Sequence, residues 1–103
     1  YINNIKNNKI ILPKFRNECE HVWHLFTITT NNRSDLQQYL LDNNVETLIH
    51  YPIPPHKQGA YRELCNESYP ISENIHKKIL SLPISGIQSE ETTQQVVSII
   101  NDY

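Results

Sequence analysis

The sequence predicts a small domain of the α/β (α+β) class, a short sheet with helices packed on it. Three observations carry that expectation. A β-branched and aromatic run fills residues 20–30, apolar stripes at helical spacing occupy 34–43 and the segment after Ser89, and a proline-rich loop lies between.

Taken in order, residues 1–9 are polar, with Ile2 and Ile5 at helical spacing, and read as the end of a linking helix whose start lies outside the sequence. Ile10-Ile11-Leu12, stopped by Pro13, reads as a short strand or extended connector. Residues 20–30 form the clearest strand. Alternation places Val22, His24, Phe26 and Ile28 on one face, with Trp23 and Leu25 on the other, so the strand is expected to be covered on both sides. Asn31-Asn32 ends the run.

Residues 34–43 fit a helix with Leu36, Tyr39 and Leu40 in one stripe and Asn32 or Ser34 as its N-cap. Asn44 is placed to take the left-handed conformation that ends it. A second strand is expected over 45–51 and one or two helical turns over 58–64. Ser72-Glu73 is expected to open another helix with Ile75, Ile79 and Leu82 along one side, before an edge-like segment at 82–84. Ser89 caps the last helix: Glu90 and Glu91 sit in its first turn, favourable with the helix dipole, and Val96, Val97 and Ile100 share a face.

Composition narrows the function classes. At 103 residues the chain is one domain at most, with a modest core. Its first residue is Tyr1 rather than Met, the expectation for a piece of something longer. Nine basic and eleven acidic residues, in no block, do not make a nucleic-acid footprint. No apolar stretch approaches the length of a membrane span, and no signal-peptide pattern is present. Cys19 and Cys65 stand far apart and form no C-x-x-C pair, which reads as two free thiols in a reduced, cytoplasmic protein, with a disulfide the alternative. With only Gly59 and Gly86, a glycine-rich phosphate cradle is excluded.

The chemistry concentrates in Ile49-His50-Tyr51-Pro52-Ile53-Pro54-Pro55-His56-Lys57-Gln58. Proline fixes φ and pushes the preceding residue to extended geometry, so the loop is stiff and presents its polar aromatic side chains at low entropic cost. His50 and Tyr51 are the candidates to donate to a phosphate or a sugar hydroxyl. The plainer alternative packs Tyr51 on the prolines while His50 satisfies a strand end. A shared metal is not expected: His21 and His24 would point to opposite faces of a strand, and His50 and His56 have no cysteine or carboxylate at ligand spacing. No lysine sits where its pKa would fall for Schiff-base chemistry.

Four runs follow one order and spacing: His21-Val22-Trp23-His24-Leu25-Phe26, Arg33 to Leu40, Thr47 to Gln58, and Leu80-Ser81-Leu82-Pro83-Ile84-Ser85. Together they closely resemble the C-terminal part of the DegT/StrS-type sugar aminotransferases, from about Ile10 to Tyr103. Within that family the resemblance is greatest to enzymes that aminate C3 of a dTDP-3-keto-6-deoxyhexose, in the synthesis of surface polysaccharide (O-antigen, lipopolysaccharide) or other deoxyaminosugars. It implies a cytoplasmic, fold-type I enzyme dependent on pyridoxal phosphate, usually a homodimer, with glutamate the usual amino donor.

Residues 10–103 would be its small C-terminal domain, and the large cofactor-binding domain would lie outside this sequence. His50 and Tyr51 would lie near the nucleotide-sugar pocket, with His56 and Gln58 completing the substrate-binding motif or supporting its loop. The Schiff-base lysine, the aspartate facing the pyridine nitrogen and the aromatic stacked on the ring have no counterpart here. Asn44 and Gly86 replace the glycine and proline common in the family. A non-catalytic sugar-nucleotide-binding or dimerisation domain is the alternative.

Overall fold

The computed structural model describes residues 1–103, the side chain of Glu18 excepted. Its framework is a two-stranded antiparallel sheet of β1 (Phe26–Thr29) and β2 (Ile79–Leu82), with Phe26 opposite Leu82 and Ile28 opposite Leu80. Single bridges widen the sheet at both edges. Ile11 exchanges both backbone hydrogen bonds with Thr29 (2.8 and 3.0 Å), and Leu48 does the same with Ser81 (3.3 and 2.8 Å). β2 therefore lies between β1 and the segment that enters the proline loop.

Cross-strand partners share a face, so the sheet has two different sides. Phe26, Ile28, Leu80 and Leu82 point into the core, where they meet Leu36 and Leu40 of α1 (Arg33–Asp42) and Val96, Val97 and Ile100 of α3 (Glu90–Asp102). Thr27, Ser81, Thr29 and Ile79 alternate to the opposite side. The result is a mixed α/β layer pair, as the sequence predicts.

Local chemistry explains where the helices stop and start. Asn44 takes φ 61°, and the turn closes with Val45 N–H donating to Leu40 O (2.8 Å) and Asn44 N–H to Leu41 O (2.9 Å). This is a Schellman termination, with buried Val45 as its apolar partner. At α3 the Ser89 hydroxyl accepts from Thr92 N–H at 3.0 Å, the expected cap. Asn32 occupies the α1 N-cap without a side-chain cap bond.

Four expectations are corrected. The strand over 20–30 shrinks to four residues, because Glu18–Glu20 forms a 3-10 turn and Trp23 adopts φ 48°. That left-handed backbone costs about 1–2 kcal/mol for a side chain of this size. It inserts the Trp23 ring between His21 (centroids 4.0 Å) and Phe26 (5.2 Å), with Phe15 edge-on at 5.2 Å. Each such pair returns about 0.5–1.5 kcal/mol, which offsets the backbone cost, while Val22 is left 91% exposed. Residues 45–51 make the single bridge at Leu48 rather than a strand.

The third correction is α2, which spans Pro70–Lys78 and begins two residues before Ser72, because Pro70 at its first turn needs no amide partner. It ends at Lys78, so Ile79 and Leu82 belong to β2 and not to a helical stripe. Finally, residues 1–9 form turns instead of a helix end, tied to α3 by Asn7 Nδ2 donating to Ile100 O (2.7 Å). Gly59–Leu64 forms the short helical turns expected there.

Candidate functional site

The proline loop leaves the sheet edge at Leu48 and is fastened to α2 from both ends. His56, 5% exposed in the 3-10 turn Pro55–Lys57, bonds through Nε2 to Glu73 Oε1 at 3.0 Å and packs edge-on against Tyr69 (4.8 Å). The same Glu73 oxygen accepts from Tyr69 N–H at 3.0 Å, closing the first turn of α2. Those two donors, Tyr69 N–H first and His56 second, hold the Glu73 carboxyl below the usual carboxylate range.

Further along, His76 Nδ1–H donates to the Tyr51 carbonyl. Gln58 Nε2 donates to Ile53 O at 3.1 Å, and Lys57 Nζ donates to Cys65 O (2.7 Å) and Glu67 O (2.9 Å). His56, Lys57 and Gln58 thus brace the loop. The Arg33 guanidinium of α1 adds a bond to His76 O at 2.6 Å, at the C-terminal turn of α2 where positive charge is favoured.

His50 and Tyr51 are placed differently. His50 is half-buried and its Nδ1 lies 2.9 Å from Ser81 Oγ in β2. Tyr51 is 62% exposed, with its ring edge-on to His50 at 5.4 Å, and the peptide joining the two residues is cis. Beside them a hollow of about 260 Å³ is lined by Pro52, Pro54, Lys57, Glu73, His76 and Lys77. A larger open groove of about 980 Å³ runs between α1, the 44–48 segment and α3, with the Thr47 hydroxyl unpaired in its wall.

Sequence reasoning brought His50, Tyr51, His56 and Gln58 to one loop, and the structure keeps them there. It missed Glu73 and His76, which anchor the loop, and Ser81, which touches His50. The available signal for Ser81 was a lone hydroxyl between Leu80 and Leu82, where a strand with one apolar face turns its other face outward.

The described residues do not fit pyridoxal phosphate. Lys57 Nζ is committed to two carbonyls, Lys9 Nζ lies over the Tyr103 ring at 4.6 Å, and Lys77 is exposed. None stands in a desolvated apolar pocket or beside another cation, the settings that free a lysine amine for Schiff-base chemistry. Among the described residues no group of three His, Cys, Asp or Glu is placed to hold a metal, and no helix is long and apolar enough to cross a membrane. Cys19 and Cys65 are unpaired and exposed.

Among known proteins the chain is 50% identical over its full length to the dTDP-3-amino-3,6-dideoxy-alpha-D-galactopyranose transaminase of Aneurinibacillus thermoaerophilus, of which it covers 28%. It is 34% identical, over 89% of the chain and 25% of the relative, to the dTDP-3-amino-3,4,6-trideoxy-alpha-D-glucose transaminase of Streptomyces venezuelae. In three dimensions it is similar to S. venezuelae DesV, crystallised with a ketimine intermediate. The TM-score is 0.86 at 31% identity, covering 94% of this chain and 27% of that one. It is also similar to Bacillus subtilis NtdA with bound cofactor PMP, with a TM-score of 0.76 at 27% identity, covering 90% and 22%. The chain spans about a quarter of the length of these relatives. Residues 1–101 match the family as a whole. On that match the chain belongs to the DegT/DnrJ/EryC1/StrS aminotransferase family.

Proposed function

We propose that this chain is the small C-terminal domain, residues 10–103, of a nucleotide-sugar aminotransferase. The whole protein moves an amino group from an amino acid, glutamate in the usual case, to C3 of a dTDP-3-keto-6-deoxyhexose. Its product serves surface polysaccharide or other deoxyaminosugar synthesis in the cytoplasm. Pyridoxal phosphate and its lysine belong to the rest of the polypeptide, and the working enzyme is a homodimer. The 103 residues alone are expected to show no transaminase activity.

The observation that carries this reading is the division of labour inside the loop. His56, Lys57 and Gln58 are engaged with neighbouring backbone or with Glu73, and they hold a stiff frame. His50 Nε2 and the Tyr51 hydroxyl have no partner among the described residues, and they stand side by side at the end of that frame. A donor pair on a rigid mount suits the oxygens of a hexose or a diphosphate, because little entropy is lost when the ligand docks.

The test is direct. The full-length protein is purified, its visible spectrum recorded, and the keto-sugar nucleotide incubated with glutamate and followed by chromatography. A yellow protein that forms the 3-amino sugar supports the reading. A colourless protein that binds the nucleotide sugar without converting it leaves the non-catalytic binding alternative.

A further inference from the structure

Ser81 is an unusual occupant of its position. It sits in the middle of β2 and is 5% exposed, between Leu80 and Leu82, which point into the core. Its backbone N–H and C=O are both bonded to Leu48, so the main chain makes no demand on the hydroxyl. The hydroxyl has one partner among the described residues, His50 Nδ1 at 2.9 Å. A buried hydroxyl left without that partner would be desolvated and unsatisfied, so the contact fixes both groups.

The direction of the bond matters for chemistry. In a neutral imidazole one ring nitrogen donates and the other accepts, and the bond made by one sets the state of the other. When the Ser81 hydroxyl donates to Nδ1, the proton of the ring resides on Nε2. His50 then offers Nε2–H to an oxygen acceptor. Ser81 is carried by a strand paired on both edges, so the hydroxyl that meets the ring is itself held in place. Second-sphere partners of this kind orient and tune the imidazole that touches a ligand.

We propose that Ser81 is a positioning residue: its hydroxyl holds His50 in the Nε2–H tautomer and aims that donor at an oxygen of the nucleotide sugar. The proposal rests on the reading of the loop as the nucleotide-sugar site. The acceptor is an oxygen of the diphosphate or of the hexose, and free dTDP separates the two.

The experiment uses the full-length protein with 15N-labelled histidine, in the wild type and in Ser81→Ala, Ser81→Thr and His50→Ala. The His50 ring signals, assigned by their loss in His50→Ala, are read without ligand, with dTDP and with the complete nucleotide sugar. The wild type and Ser81→Thr are expected to show the Nε2–H tautomer, and Ser81→Ala a mixture of both. KM for the nucleotide sugar should rise about fivefold in Ser81→Ala, the value of one ordinary hydrogen bond, and return toward wild type in Ser81→Thr.

KM for the amino donor and kcat should stay within about twofold, since the interaction is equal in ground and transition states. A response to dTDP alone assigns the diphosphate, and a response only to the complete nucleotide sugar assigns the hexose. An unchanged tautomer in folded Ser81→Ala overturns the proposal without touching the reading of the loop. So does a raised KM in His50→Ala with none in Ser81→Ala. Unchanged KM in both variants overturns the reading itself, and the proposal with it.

Discussion

β2 presents two chemically different faces within four residues, and removing one side chain from each measures that difference. Leu80 is 0% exposed and lies at the centre of the core between β1, α1 and α3. Leu80→Ala removes the branched end of the side chain and leaves a cavity among restrained neighbours, which costs about 3 kcal/mol. For a domain of this size that lowers the thermal midpoint by about 15 °C. The same loss moves a urea midpoint down by about 2 M with little change in slope.

Ile79, one residue earlier, lies on the opposite face and is partly buried. Its replacement by alanine should cost about 1–2 kcal/mol, less than at Leu80, because part of its side chain already meets water. Urea unfolding of the chain followed by fluorescence of Trp23, its one tryptophan, reads both variants against the wild type. Equal losses for Leu80→Ala and Ile79→Ala would refute the assignment of the two faces.

Other expectations follow from individual contacts. Ser89→Ala removes the acceptor for Thr92 N–H and should lower stability by about 1 kcal/mol, while Ser89→Asp should retain it. Because the folded Glu73 carboxyl titrates below its ordinary value of 4.5, its stabilising contribution is complete above that pH. That contribution is lost as pH falls through the folded value. Urea midpoints of Glu73→Gln and wild type should therefore differ at neutral pH and converge in acid. His56→Ala cuts one of the two links from the loop to α2 and should speed hydrogen exchange at Lys57 and Gln58 while leaving β1 and β2 protected.

What the sequence revealed divides along physical lines. α1 and α3 were legible because each couples a helical apolar stripe to a local end signal: Asn44 at φ 61° in one, the Ser89 hydroxyl in the other. The proline loop was legible because proline acts on its own residue and its neighbour. The strand over 20–30 failed at Trp23. Its β propensity was overridden by ring stacking with His21 and Phe26, a contact that no local rule anticipates.

β2 was concealed for a related reason. Ile75, Ile79 and Leu82 satisfy a helical period and so extended α2 on paper, whereas pairing with β1 captures Ile79 onward. The cost of that misreading was Ser81, since only a strand turns it away from Leu80 and Leu82 and toward His50. The roles of His56 and Gln58 in bracing the loop likewise depend on Glu73 and Ile53 O, partners known only once the chain is folded.

The proposal that His50 and Tyr51, at the sheet end of the proline loop, hold the nucleotide sugar has one decisive test. Steady-state kinetics of His50→Ala in the full-length protein, with each substrate varied in turn, test it most directly. KM for the keto-sugar nucleotide is expected to rise about tenfold while KM for glutamate stays near wild type, the pattern of lost ligand binding. Equal increases for both substrates, or none for either, would contradict it.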